Sequence, residues 1–165
     1  MSNSQRPPTS RWHEPMGLAL DQARAALRAD DPQGHPADVP IGAVLLGPDG
    51  EVIGRGHNRR EVTHDPTAHA EVLAIREASA ALGRWRLDDC ALVVTLEPCA
   101  MCAGAILLAR IPVVVIGAWD EKAGATGSVW DIVRDPRMNH FAQVIPGVRE
   151  QECSALLTDF FASRR

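Results

Sequence analysis

The sequence predicts an α/β chain built on a largely parallel sheet. Three observations carry that expectation. Two compact apolar runs, "CALVVTLEP" and "IPVVVIGAW", lack the alternation of a half-wet strand and read as strands covered on both faces. Segments with helical spacing separate the strand-like runs. Two of those helices open behind a proline, at Pro66 and Pro98.

The elements follow in order. From Trp12 to Arg28, apolar residues recur at Met16, Leu18, Leu20, Ala23, Ala26 and Leu27, which predicts an amphipathic helix. "DDPQGHPADVP" is expected to be a loop. "IGAVLLGPDGEVIGRGHN" reads as two short strands around a turn at "GPDG". Asp65 then Pro66 predicts an N-cap and a first helical residue, with the helix running to Leu82. After the "CALVVTLEP" strand, Pro98 opens a helix through "CAMCAGAILLAR", and "IPVVVIGAW" is the next strand. "DEKAGATGS" reads as a permissive loop, "VWDIV" as a short helix, "FAQVIP" as a short strand and "REQECSALLTDFFASRR" as a terminal helix. Residues 1–11, polar and proline-bearing, are expected to be disordered, and residues 12–165 to form one domain without repeats.

Composition narrows the function classes. With 165 residues and 45% apolar content, the chain can bury a real core. Its four cysteines do not form a disulfide framework, because Cys90 and Cys153 stand apart from the pair Cys99 and Cys102. "MSNSQRPPTSRWHEP" has no apolar stretch of a signal peptide, and no run approaches the roughly 20 residues of a membrane span. A reducing cytoplasm is therefore expected, where a close cysteine pair is more often metal-binding or catalytic than a staple. The net charge of −4 does not advertise nucleic acid binding. Yet arginines cluster at Arg55, Arg59 and Arg60, at Arg84 and Arg86, at Arg134 and Arg137, and at Arg164 and Arg165. Arginine suits bidentate phosphate contact, although codon usage alone also explains an arginine bias.

The two proline-started helices carry the chemistry. One brings His69 and Glu71, the other Cys99 and Cys102. In an α/β sheet, successive strand-to-helix turns lie at one end, so both motifs should face one crevice. An imidazole and two thiolates suit zinc. A structural zinc would want a fourth protein ligand, whereas three ligands leave a position for water, as in catalytic sites. Residues two apart on a helix point roughly 200° away from each other, so His69 and Glu71 converge only if the helix end itself points at the site. A carboxylate beside an activated water is a proton shuttle. Taken singly, the histidine reads as a packed residue, Cys-x-x-Cys as a redox or structural pair, and the glutamate as a dipole-favoured first-turn acid. Their joint occurrence favours the catalytic reading.

At this point the chain resembles a known family. His-x-Glu followed by Pro-Cys-x-x-Cys is the signature of zinc-dependent nucleoside and nucleobase deaminases. "PIGAVL", "GHNRREVTHDPTAHAE", "TLEPCAMCAGAI", "ARI", "GAWDEKAGATGS", "MNH" and "LLTDFFASRR" look like the bacterial tRNA-specific adenosine deaminases, over most of the chain after Val39. The resemblance implies a three-layer α/β/α cytidine-deaminase-like fold with a mostly parallel, five-stranded central sheet, and a homodimer. It implies one Zn2+ per subunit on His69, Cys99 and Cys102, with Glu71 as the general acid and base. The activity implied is hydrolytic conversion of adenosine to inosine at the wobble position of an arginine tRNA. Asn58 would contact the flipped-out nucleoside, the Ala70 backbone the base edge, and Ile41 and Leu96 the base faces. Asp120 and Lys122 would meet the RNA backbone, and Phe160, Phe161, Arg164 and Arg165 the anticodon loop.

Two features depart from the family pattern. Trp119 stands where arginine is usual, which removes one phosphate contact, and the lysine-rich extension of some relatives does not follow Arg165. The alternatives are a deaminase of free nucleobases or nucleosides such as guanine, cytosine or cytidine, a zinc-stabilised interaction module, and a redox protein. The arginine-bearing loops favour RNA over a free base. A structural zinc has no use for Glu71, and a redox pair has none for His69 and Glu71.

Overall fold

The computed structural model describes residues 9–28, 33–34 and 36–165. Most of the expected disordered tail, residues 1–8, lies outside the described residues, while Thr9–Trp12 forms a 3-10 turn. Helix α1 (His13–Leu27) buries Met16, Ala19, Leu20, Ala23 and Ala26, one stripe at helical spacing. Leu18 and Leu27 fall outside that stripe and are exposed.

Strands β1 (Gly42–Leu46) and β2 (Val52–His57) form the expected antiparallel hairpin. Gly50, at φ 83, supplies the left-handed turn residue. A one-turn helix that the sequence reading did not foresee, α2 (Arg60–Thr63), follows. Then come α3 (Ala70–Leu82), β3 (Ala91–Leu96), α4 (Ala100–Leu108), β4 (Val113–Ala118), β5 (Gln143–Ile145) and α5 (Glu150–Ala162). The "VWDIV" segment is reduced to a 3-10 turn over Ile132–Arg134.

The five strands lie in the order β2-β1-β3-β4-β5. β3, β4 and β5 pair in parallel, and β1 pairs antiparallel with both β2 and β3. Four of the five strands therefore share one direction, and β1 alone runs against them. Helix–strand alternation governs the parallel half; the hairpin, which has no intervening helix, reverses β1.

Helices cover both faces, which explains the unbroken apolar runs. Ala43, Leu45, Leu92, Val94, Val114 and Ile116 pack with Ala70, Ala74, Ala103 and Ile106 of α3 and α4. Val44, Leu46, Val93 and Val115 pack with Met16 and Leu20 of α1 and Cys153 of α5. Each fully buried leucine or isoleucine here contributes about 1.5–3 kcal/mol by leaving water. A side chain at Gly54 or Gly56 would run into the carbonyls of Ala74 and Ala70. Glycine at both positions lets α3 lie directly on β2 and fixes the height of its N-terminus.

Two helix starts differ from expectation. Asp65 is not an N-cap: its Oδ1 accepts from the Thr67 amide at 2.8 Å and the Thr67 hydroxyl at 2.7 Å, closing a local turn. The helix begins later, with His69 as N-cap. Pro98 likewise lies one residue before the N-cap, Cys99. In each case the turn that proline stiffens comes first, and a metal-ligand candidate occupies the helix boundary.

Candidate metal centre and catalytic cavity

His69 and Cys99 have extended backbones, with φ −81, ψ 152 and φ −74, ψ 177. Each ends a turn and opens a helix. Cys102 is the third helical residue of α4, and N-cap and third-residue side chains meet over a helix end. That is the physical content of two intervening residues in Cys-x-x-Cys. His69 stands outside its helix while Glu71 is the second residue inside it, so the opposition of residues two apart does not apply.

The three side chains converge. His69 Nδ1 lies 3.6 Å from Cys99 Sγ and 3.5 Å from Cys102 Sγ. Zinc bonded at its usual lengths to nitrogen and sulfur, at tetrahedral angles, sets those atoms roughly 3.5 Å apart. The residues therefore fit zinc in distance as well as in softness. Among the described residues no fourth histidine, cysteine or carboxylate joins the cluster. Cys90 and Cys153 are free and buried elsewhere. The donor set is thus that of a catalytic rather than a closed structural site.

Cys99 is already activated for a metal, whereas Cys102 and His69 hold protons that a metal would displace. The hydrogen bond from Cys102 and that from His69 pull the Cys99 thiol down to about 3. The same hydrogen bond to Cys99, together with burial, pushes Cys102 above the usual thiol range. Hydrogen bonding to Cys99 and the nearby Glu71 and Cys99 charges raise His69. Glu71 is 4% exposed, and burial raises its carboxyl to about 7.

One cavity of about 170 Å³ gathers most of the predicted residues: Ile41, Asn58, His69, Ala70, Glu71, Leu96, Cys99 and Asp120 line it. Cys102 lies behind it, fully buried. The cavity sits where β2, β3 and β4 end and β1 begins, the shared edge expected of strand-to-helix turns. Asn58 donates through Nδ2 to the Val39 carbonyl at 3.3 Å and accepts the Arg60 amide at 3.2 Å. One N–H and one lone pair remain on its amide.

The tail divides. Phe161 is exposed and, with Lys122, lines an outer groove that shares Val39, Leu96 and Asp120 with the cavity. Phe160, expected beside RNA bases, is 6% exposed: its ring packs inside, edge to Phe161 at 5.3 Å. The Arg164 guanidinium lies 3.6 Å over the Phe160 ring and donates to the Phe160 carbonyl. Phe160, Arg164 and Arg165 line neither cavity nor groove. Two other histidines serve the fold: His140 Nε2 bonds the Ile111 carbonyl at 2.8 Å, and His57 pairs with Gln22.

Sequence reasoning missed two carboxylates. Asp38, 2% exposed, accepts the Glu61 and Val62 amides and so caps α2. Glu97, also 2% exposed, lines the cavity and organises the loop after β4. Its Oε1 accepts the Thr126 and Ser128 amides, and its Oε2 accepts the Asp120 amide and the Ser128 hydroxyl. A glutamate at the very end of a doubly covered strand was the available signal.

Comparison with known proteins accords with this geometry. Residues 16–118 match the cytidine and deoxycytidylate deaminase zinc-binding region. The tRNA-specific adenosine deaminase of Bacillus subtilis is 51% identical over 128 residues, covering 78% of this chain and 79% of that protein. A structure from work on A-to-I editing by tRNA:A34 deaminases at the wobble position superposes with TM-score 0.79 and 45% identity, covering 87% of this chain and 99% of the other. A guanine deaminase from Bacillus subtilis superposes with TM-score 0.59 and 34% identity, covering 92% of each chain. The chain belongs to the tRNA-specific adenosine deaminase family, within the zinc-binding cytidine and deoxycytidylate deaminases.

Proposed function

We propose that the chain is a zinc-dependent hydrolase that converts adenosine to inosine at the wobble position of an arginine tRNA. One observation carries the chemistry: the buried Glu71 carboxyl, raised to about 7, shares one cavity with His69, Cys99 and Asn58. An acid poised there can accept a proton and return it at working pH. The RNA substrate rests on the likeness to proteins named as tRNA adenosine deaminases.

His69, Cys99 and Cys102 hold the zinc, which supplies a Lewis acid that lowers the pKa of a water. Glu71 takes a proton from the attacking water and delivers it to adenine N1 as oxygen bonds to C6. Glu71 then takes the remaining proton from the oxygen now bonded to C6 and passes it to the exocyclic amine, as that oxygen becomes the carbonyl of the product. The C6–N bond breaks, ammonia leaves, and adenosine plus water has become inosine. Asn58 holds the nucleoside through its spare N–H and lone pair, the Ala70 backbone meets the base edge, and Ile41 and Leu96 flank the base. A cavity this small requires the base to leave the RNA stack. Lys122 and the terminal Arg164 and Arg165 approach RNA phosphates. The Asp120 carboxylate accepts the Lys122 and Ala123 amides, so it shapes that loop.

Residues 12–165 act as one catalytic domain, in the cytoplasm where tRNA is found. No helix among the described residues is long and apolar enough to cross a membrane. The working unit is a homodimer. Met101, Gly104, Ala105 and Leu108 form an apolar stripe at helical spacing on α4, and Met101 and Leu108 are exposed. Leu108→Glu should convert the dimer to a monomer in sedimentation velocity; an unchanged dimer refutes this face. The substrate test incubates the purified zinc protein with an arginine tRNA carrying wobble adenosine, and separately with free adenosine, guanine and cytidine. Inosine in the tRNA is expected. Ammonia from a free base alone refutes the RNA reading.

A further inference from the structure

We propose that Trp119 is a stacking wall for the nucleobase next to the deaminated adenosine. The inference rests on the RNA reading above.

Trp119 follows the last residue of β4 and opens the loop that Glu97 organises. Its indole is about one-third exposed and lines the outer groove with Val39, Leu96, Leu157 and Phe161. The groove holds about 490 Å³ and adjoins the cavity through Val39, Leu96 and Asp120. The groove therefore offers a path for a nucleotide joined to one in the cavity.

The indole is held in place. The far edge of its six-membered ring lies 3.3 Å from where a Cβ on Gly127 would stand. Gly127 has φ 140, a conformation that excludes side chains, so the loop presents bare backbone to the ring. Glu97 clamps that loop by accepting the Asp120, Thr126 and Ser128 amides on either side. The outer edge of the indole is thus seated on the clamped loop while the residue lines the groove, so little side-chain entropy is left to lose on stacking.

The charges at the groove favour a base over a phosphate. Asp120 and Glu121 offset Lys122 there. An aromatic face gains from stacking on any base and gains nothing from an anion.

The test uses an anticodon stem-loop with adenosine at the wobble position, and two analogues lacking the base on its 5′ or 3′ side. Alanine at a stacking position costs about 5- to 150-fold in affinity. Trp119→Ala should raise KM on the intact stem-loop by that factor. Trp119→Leu, which keeps apolar packing on Gly127, should do the same, and Trp119→Phe should recover most of the loss. On one of the two abasic stem-loops, wild type and Trp119→Ala should have equal KM, because the partner base is gone. The dependence of log KM on log salt should be the same for wild type and Trp119→Ala, and about one phosphate steeper for Trp119→Arg. Zinc content and melting temperature verify folding of each variant. If the Trp119→Ala factor persists undiminished on both abasic stem-loops, or if Trp119→Leu matches wild type on the intact one, the inference is overturned while the RNA reading stands. If wild type deaminates no stem-loop, both fall.

Discussion

Glu97→Gln is the sharpest probe of how the site is built. Four donors hold this carboxylate at 2.5–3.1 Å, the Thr126 and Ser128 amides on Oε1 and the Asp120 amide and Ser128 hydroxyl on Oε2, with the Thr126 hydroxyl a longer fifth on Oε1 at 3.5 Å. Glutamine keeps the shape but has only one acceptor oxygen. Placed at the Oε1 position, that oxygen retains the Thr126 and Ser128 amides. The Ser128 hydroxyl already has a second acceptor, the Asp120 carbonyl at 2.7 Å, and can give its proton there. The Asp120 amide has no such alternative and would face the glutamine N–H. One buried donor is therefore orphaned, which costs about 1–3 kcal/mol. Hydrogen exchange should read this as an Asp120 amide roughly 5- to 150-fold faster, with Thr126 and Ser128 changed much less. Zinc should stay bound, because Glu97 touches none of its ligands, while KM for the stem-loop rises as the loop loosens. Unchanged exchange at Asp120, or acceleration at Thr126 and Ser128 instead, would refute the assignment of the four bonds.

Four further outcomes are expected. Glu71→Gln should retain stoichiometric zinc by metal analysis while losing deamination by at least about 100-fold; retained turnover removes Glu71 from the proton path. In zinc-free protein, the raised Glu71 carboxyl contributes stability that is complete below about 4.5 and lost as pH rises through about 7, up to about 3 kcal/mol. Urea midpoints should therefore fall more steeply between pH 5 and 8 in wild type than in Glu71→Gln, where the raised His69 still contributes. Cys99→Ser or Cys102→Ser should purify without zinc; full metallation of either excludes it as a ligand. Finally, hydrogen bonds from the Arg137 guanidinium, and then from its backbone amide, hold the half-buried Asp135 carboxyl down at about 2. An NMR titration of Arg137→Ala should move its midpoint up toward 3.8 but not fully there, because the amide at 137 still donates to Oδ1. If the midpoint does not move, the ion pair is not what holds it.

Some of the fold and site was legible because its causes are local. The strand runs around Val93 and Val115 read as doubly covered because side chains on both faces are apolar, and helices do cover both. His69, Glu71, Cys99 and Cys102 announced themselves for the same reason. Each ligand lies at or within three residues of a proline-led helix boundary, where side chains point along the axis rather than around it. Misreadings arose where the deciding partner was distant or the local rule had a competitor. Asp65 obeys the N-cap rule in sequence, but Thr67 captures its oxygen first. Phe160 and Phe161 are adjacent and chemically alike; only the packing of α5 buries one and exposes the other.

The amino-acid sequence by itself determined the element types, the covered sheet and the zinc-ligand chemistry. These follow from residue spacing and donor type, which folding cannot alter. Tertiary structure alone decided the direction of β1, the role of Glu97 and the seat of Trp119. Those depend on groups 23–53 residues apart in the chain, such as Glu97 with Asp120 or Gly42 with Thr95. No local propensity records such contacts, because their free energy exists only once the layers have closed around them.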